Sequence, residues 1–265
     1  MGVSKHARNR KSKKPKTKRK SSIVDVPLSS DVSLGEKATE GGIRYNFQKY
    51  ESIFLFLKEL VQQNSTIRSL VCLKSETKLQ LVTMLVTGFN SKQQSIPLKP
   101  LDSSLTLGDF QKIINSCKDY RFVPVSLNVV VPKIGSHSNL LLFDMKKRRV
   151  ELFEPHGSYS ALSELESIPR GYVRISTRVK HFVTRYFPDY TYVEPKQYEP
   201  KSGLQGRLDV FTGACIPWCM LYLHYRFLNP NVSLKRLTKH MDKVMTKRKL
   251  LRYIKYTEDL IKRKL

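Results

Sequence analysis

HSNLLLFDMKKRRVELFEP, residues His137–Pro155, is the stretch whose reading decides the fold. Two mostly apolar runs, Ser138–Asp144 and Arg148–Glu154, flank a tight Met145–Lys147 turn, as in an antiparallel hairpin. With a two-residue turn centred on Met145–Lys146, Asp144 faces Lys147 and His137 falls directly opposite Glu154. Cross-strand partners sit roughly 4.5–5.5 Å apart at Cβ, close enough for a carboxylate to orient an imidazole. Slipping the pairing by one residue sets His137 against Pro155 instead, and slipping by two sets it against His156.

An imidazole held by an acid is half of a nucleophilic pair. FTGACIPWCMLYLHY, downstream, offers the other half: Cys215 follows Gly213-Ala214 where the apolar helix Thr212–Leu228 begins. A thiol at a helix N-terminus feels the positive end of the dipole, which favours thiolate. Pro217 suits the first helical turn, and Gly213 allows backbone amides to approach a developing oxyanion. The competing reading makes Cys215 a small buried core residue. Cys219, one turn further in, reads as core. Zinc held by Cys215, Cys219, His137 and His156 is disfavoured, because C-x-x-x-C within one helix is not a finger spacing. No metal or cofactor is expected.

Around these segments the pattern alternates helices and strands. Helical spacing covers Tyr45–Gln63, Leu107–Lys118, Val173–Tyr186, Thr212–Leu228, Ser233–Thr246 and Lys247–Lys264. Strands are expected at Phe122–Val131, at Tyr190–Val193, and as a hairpin of Ser69–Leu73 with Leu79–Val86. The order predicts an α+β fold with the last apolar helix at its centre.

The 265 residues carry 48 Lys+Arg against 22 Asp+Glu, a net +26, with 40% hydrophobic residues. That is enough apolar material for a core, which excludes wholesale disorder. Residues 1–22 hold ten Lys/Arg and no acid, and residues 231–265 hold 12 against three acids. The reading is a disordered basic arm (1–22), a linker (23–42), a catalytic domain (43–230) and basic C-terminal helices (231–265). Both ends suit nucleic-acid contact or, for the arm, a nuclear address. No apolar run is long enough to span a membrane, MGVSKHARNRK lacks a signal-peptide centre, and His6 spoils a myristoylation motif. Four cysteines without a signal suggest reduced thiols in an intracellular protein.

The hairpin resembles the His-to-acid hairpin of the SUMO-deconjugating and adenovirus-maturation cysteine proteases. In the deconjugating members a D-x-K-K turn follows the His, and the acid comes seventeen residues after it; Asp144, Lys146, Lys147 and Glu154 keep that pattern. GACIPWCMLYLHY resembles their nucleophile segment, a Cys opening the central helix. The resemblance spans roughly residues 120–230 and looks most like the thiol proteases of large cytoplasmic DNA viruses, such as iridoviruses and African swine fever virus. It implies a papain-like, adenain-like fold with His137, Glu154 and Cys215 as catalytic residues and Gln205 as the oxyanion-hole amide. The sequence has Ser138 where deconjugating members have Trp after the His, and Ile216 where they have Gly after the Cys. Gln205 lies ten residues before Cys215, not six or seven, and Asp209 stands at the six-residue position. The resemblance implies a viral thiol protease that processes structural polyproteins at Gly-containing sites, located in the virion or host cytoplasm. The alternatives are a SUMO- or ubiquitin-like deconjugase, or a non-enzymatic basic DNA-binding core protein.

Overall fold

One helix organises the core. Cys215–Leu228 is apolar on every side, and every residue from Cys215 to Phe227 is buried, so it must be covered all round. In a computed structural model, which describes residues 22–30, 38–39, 42–43, 51–75, 78–84, 96–131, 135–157, 175–208 and 214–262, it packs on a six-stranded sheet. The main helices are α1 (Glu51–Gln63), α2 (Ser65–Leu70), α3 (Leu107–Asn115), α4 (Ile175–Tyr186), α5 (Leu204–Leu208), α6 (Cys215–Leu228), α7 (Leu234–Val244) and α8 (Lys247–Lys262). The sheet strands are β1 (Gln80–Met84), β2 (Ile96–Pro100), β3 (Phe122–Val131), β4 (Gly135–Asp144), β5 (Arg149–Phe153) and β6 (Thr191–Val193).

The sheet order is β2-β1-β3-β4-β5-β6. The β1–β2, β3–β4 and β4–β5 pairs are antiparallel, and β1–β3 and β5–β6 are parallel. The fold is α+β, a mostly antiparallel sheet with the cysteine-bearing helix packed centrally against it. Leu140 to Phe143 are all fully buried, as strands covered on both faces must be. Successive side chains point to opposite faces. Phe143 meets Phe187 and Tyr190 just after α4, whereas Asp144 lies near Arg226 of α6. On its far side α6 is covered by α1 and α8, with Phe56, His224 and Tyr253 in ring contact.

Several expectations need correction. Ser69–Leu73 does not form a hairpin with the later strand: Ser69 and Leu70 end α2, and Val71 makes an isolated parallel bridge to Phe122. Strand β1 pairs instead with β3 and with β2. Pro97 and Pro100 mask β2 in the sequence, and they are tolerated because β2 is an edge strand. Nor are all four cysteines thiols. Cys72 and Cys117 form a disulfide with Cα atoms 5.8 Å apart. They are 45 residues apart in sequence, and backbone bonds from Cys72 to Phe122 and from Arg121 to Leu70 bring their segments together.

Residues 22–30, mostly within the segment read as linker, form no helix or strand and lie against the C-terminal helices. The Asn229 side chain accepts from the Val24 amide and donates to its carbonyl, each at 2.8 Å. Asp25 accepts from Tyr225 at 2.9 Å and pairs with His240 at 2.7 Å, and Val26 is buried. Residues 1–21 of the basic arm lie outside the described residues.

A buried ionic cluster fixes α6 on the sheet. Arg226 donates from Nε and Nη2 to the two carboxylate oxygens of Glu151 on β5, both at 3.0 Å, and all four partners' atoms are removed from water. Tyr222 adds a bond to Glu151 at 2.9 Å, and Arg149 approaches it to 2.5 Å. Burial pushes the Glu151 carboxyl up, but the Arg226 and Arg149 charges and the hydrogen bonds outweigh it and lower it. Arg226→Ala strands a buried carboxylate, so it should destabilise the fold by about 3–5 kcal/mol. Thermal unfolding of a chain this size should then fall by roughly 6–20 °C. A melting temperature within about 2 °C of the parent would refute a structural role for the fork.

Candidate active site

The site forms where β4 begins and β5 ends. His137 lies on β4 opposite Val129 of β3, and Glu154 is the first residue past β5. Their side chains meet, with His137 Nε2 2.6 Å from Glu154 Oε1. The pairing that achieves this is not the expected one. Asp144 pairs with Arg149, and the ladder stops at Leu140 with Phe153. The turn is therefore four residues long: Met145–Lys147 make a 3₁₀ turn capped by Asp144, which accepts from the Lys147 amide at 3.2 Å, and Arg148 adopts a left-handed φ of 45°. Carried onward, this register sets His137 abreast of His156, whose ring centroid lies 4.7 Å from its own. Glu154 reaches the imidazole diagonally.

A turn directs Glu154 inward. The Glu154 carbonyl accepts from the Gly157 amide at 2.8 Å, with Pro155 and His156 at the corner, the residue choice of a tight reverse turn. Gly157 has φ of 98°, and a Cβ there would come within 2.2 Å of the Gly203 nitrogen. That close approach docks residues 203–206 on the turn: Gly203 donates to His156 at 2.7 Å, and Gln205 donates through its backbone to Pro155 at 3.0 Å.

Cys215 opens α6 and is 7% exposed, as is His137. The thiol is hydrogen-bonded to His137 and to the amide and hydroxyl of Ser138. Burial pushes the Cys215 thiol up, but the His137 bond and charge and the Ser138 bonds outweigh it, so it falls below its ordinary value. Burial pulls His137 down, yet the Glu154 charge and the bonds with Cys215 and Glu154 raise it. Both shifts favour the thiolate–imidazolium form. With Glu154 on Nε2, Nδ1 is the ring nitrogen left for the sulfur. Cys219 behaves as core: it is fully buried, its thiol contacts the Ser138 carbonyl at 3.6 Å, and burial pushes it well above the ordinary range.

Four neighbours complete the site, and the sequence reading singled out two of them, His156 and Ser138, but not Asn139 or Glu199. With its amide nitrogen turned toward Glu154, buried Asn139 donates to Oε2 at 2.6 Å and lies 3.3 Å from Oε1. It shares a strand face with His137 by simple alternation, the signal that marks it. The His156 amide donates to Glu154 Oε1 at 3.1 Å, while burial and the His137 charge depress the His156 imidazole to about 4. Glu199 accepts from the Glu154 amide at 3.2 Å, and burial raises its carboxyl well above the ordinary carboxylate range. Ser138 stands where the Trp of the deconjugating proteases was looked for.

Gln205 is buried on α5, with its side-chain oxygen unsatisfied within the protein. Asp209 and Gly213 lie outside the described residues. Among the described residues no three His, Cys, Asp or Glu side chains converge to hold a metal ion. No described helix is long and apolar enough to cross a membrane.

No family model matches the chain. An ankyrin repeat protein of Acanthamoeba polyphaga mimivirus is 26% identical over 148 residues, which is 49% of this chain. The chain spans 19% of that relative's length. Among solved structures, ChlaDub1 of Chlamydia trachomatis superposes with a TM-score of 0.47 at 15% identity, covering 86% of this chain and 96% of that one. The C. trachomatis effector Cdu1 bound to ubiquitin gives 0.41 at 13% identity, covering 78% and 90%.

Iodoacetamide should label Cys215 and spare Cys219 in the native chain. Because the Cys215 thiol is lowered and His137 raised, thiolate persists as pH falls below the ordinary thiol value of about 8.5 and is lost only through the depressed Cys215 value. The pH profile of labelling should shift upward in His137→Ala. An unshifted profile would refute the coupling.

Proposed function

We infer that the chain is a cysteine peptidase. The observation that supports this is the chain of contacts Glu154–His137–Cys215 with the sulfur at the start of the central helix. The Cys215 thiolate attacks a substrate carbonyl carbon, and the electron pair moves onto the carbonyl oxygen. His137, as imidazolium, donates its proton to the departing amine as the C–N bond breaks, leaving an acyl-enzyme. Neutral His137 then takes a proton from water, hydroxide displaces the thiolate, and the acid product leaves. Glu154, held by Asn139 and the His156 amide, fixes the ring and balances its positive charge. The backbone amide of Cys215 and the Gln205 side chain are the oxyanion donors we assign.

The substrate we assign is a ubiquitin-like protein joined through its C-terminal Gly-Gly. The D-x-K-K turn and seventeen-residue spacing match the deconjugating members, and the structure shows Asp144 capping that turn. The second reading, a virion-maturation protease, is favoured by Glu154, the acid of the adenovirus type. Ubiquitin and SUMO carrying a C-terminal electrophile should form a covalent adduct with the full chain, abolished in Cys215→Ala and retained in Cys219→Ala. Cleavage of Gly-X-Gly peptides without any adduct to a folded ubiquitin-like protein would favour the maturation reading. Absence of both would refute the peptidase.

A further inference from the structure

The C-terminal cationic segment presents a row of lysines beside the point where residues 22–30 join the fold. Helix α7 buries Leu234, Leu237, Thr238 and Met241 against the core. Its other side presents Lys235, Lys239 and Lys243, all exposed and four residues apart. A four-residue step is about one helical turn, or roughly 6 Å of rise, so the three ammonium groups form a stripe. Lys247 and Arg248, exposed at the start of α8, continue it.

Helices ordinarily offset such a row with acids. Like charges at this spacing repel one another and destabilise an isolated helix. Here the one acid of α7, Asp242, pairs with Arg207 of α5 at 2.6 Å. On α8, Asp259 pairs with Lys255 at 2.6 Å. Among the described residues, Lys235, Lys239, Lys243, Lys247 and Arg248 have no ion-pair partner.

The start of the described chain is fastened beside this stripe. Asp25 pairs with His240, which lies between Lys239 and Lys243, and the Ser29 carbonyl accepts from Arg252 of α8 at 2.5 Å. Ser22 is three residues before Asp25, a separation of at most roughly 10 Å. The ten Lys/Arg of residues 1–21 are therefore joined to the fold at the edge of α7.

We propose that the Lys235–Lys239–Lys243 stripe, with Lys247 and Arg248, is a binding surface for the phosphate backbone of nucleic acid. Evenly spaced ammonium groups, unpaired among the described residues, suit a repeating polyanion and read no base edge, so binding is independent of sequence and sensitive to salt. This inference does not depend on the peptidase reading.

Fluorescence anisotropy of the full chain with two 20-base-pair duplexes of unrelated sequence tests it across a salt series. Both duplexes should bind alike. The triple substitution Lys235→Gln, Lys239→Gln, Lys243→Gln should weaken binding on the order of 100-fold at 0.1 M salt and reduce the salt slope by about 2.7, or 0.9 for each lost phosphate contact. A control with the same net charge, Lys74→Gln, Lys118→Gln, Lys201→Gln, should retain most of the affinity, and matched melting temperatures verify that both fold. Equal losses in the two triple variants would overturn the assignment, since net charge alone would then explain binding. Competition by polyglutamate as strong as by DNA of equal charge would also overturn it, in favour of an acidic protein partner.

Discussion

The Arg226–Glu151 fork is the constraint from which the site follows. A buried guanidinium and a buried carboxylate each lose water, and only paired, directional bonds make that tolerable. Two such bonds at 3.0 Å fix both the rotation of α6 and its position along the sheet. Arg226 is eleven residues after Cys215, so a helix anchored there delivers the thiol about 16 Å back along its axis. That is where β4 begins and where His137 points inward. A helix held only by apolar contacts could slide or turn by a residue with little penalty, whereas a sub-ångström sulfur–nitrogen alignment cannot survive such freedom.

Burial of α6 imposes a second demand. His137, Glu154 and Cys215 are nearly removed from water, and a thiolate–imidazolium pair needs hydrogen bonds to replace lost solvation. The protein supplies them from fixed groups: Ser138 to the sulfur, Asn139 and the His156 amide to Glu154. Glu199, half-buried, accepts from the Glu154 amide, and burial together with the nearby Glu154 carboxylate holds its carboxyl well above the ordinary range.

Much of this was legible in the sequence, for reasons that can be named. Strand β3 was read with its true bounds because Phe122–Val131 is rich in valine, and residues 122–129 are buried on both faces. The helix carrying Cys215 was legible because its apolar run is long and ends at Asn229-Pro230. The His–acid pair was legible through spacing, yet by the wrong route. Direct opposition in a two-residue turn was expected, and the four-residue turn moved the register by two. Glu154 meets His137 because it has left the strand and a Pro155–Gly157 turn swings it back. Such a turn follows from tertiary docking on Gly203, which no periodicity encodes. Asn139 was available from alternation alone, but an asparagine within an apolar strand gives no sign of which buried partner it serves. The Cys72–Cys117 bridge lay beyond reach because it depends on a 45-residue closure.

The same reasoning separates the two uses of charge in this chain. Charges near α6 are buried, paired and few, and their work is geometric: each is held by fixed partners, as Glu151 is by Arg226, Arg149 and Tyr222. The lysines of α7 are exposed and, among the described residues, unpaired, and in the proposed role they act collectively, since no single ammonium in water contributes much. Net charge cannot distinguish these roles. Asp25 links them physically: it joins Tyr225, one residue from the buried arginine, to His240, in the middle of the lysine stripe. The segment that carries the basic arm is thus pinned on one side to the helix that positions the thiol and on the other to the cationic surface. A polyanion held on α7 would therefore rest beside the C-terminal half of α6, the end fixed by Arg226, and away from the end that carries Cys215.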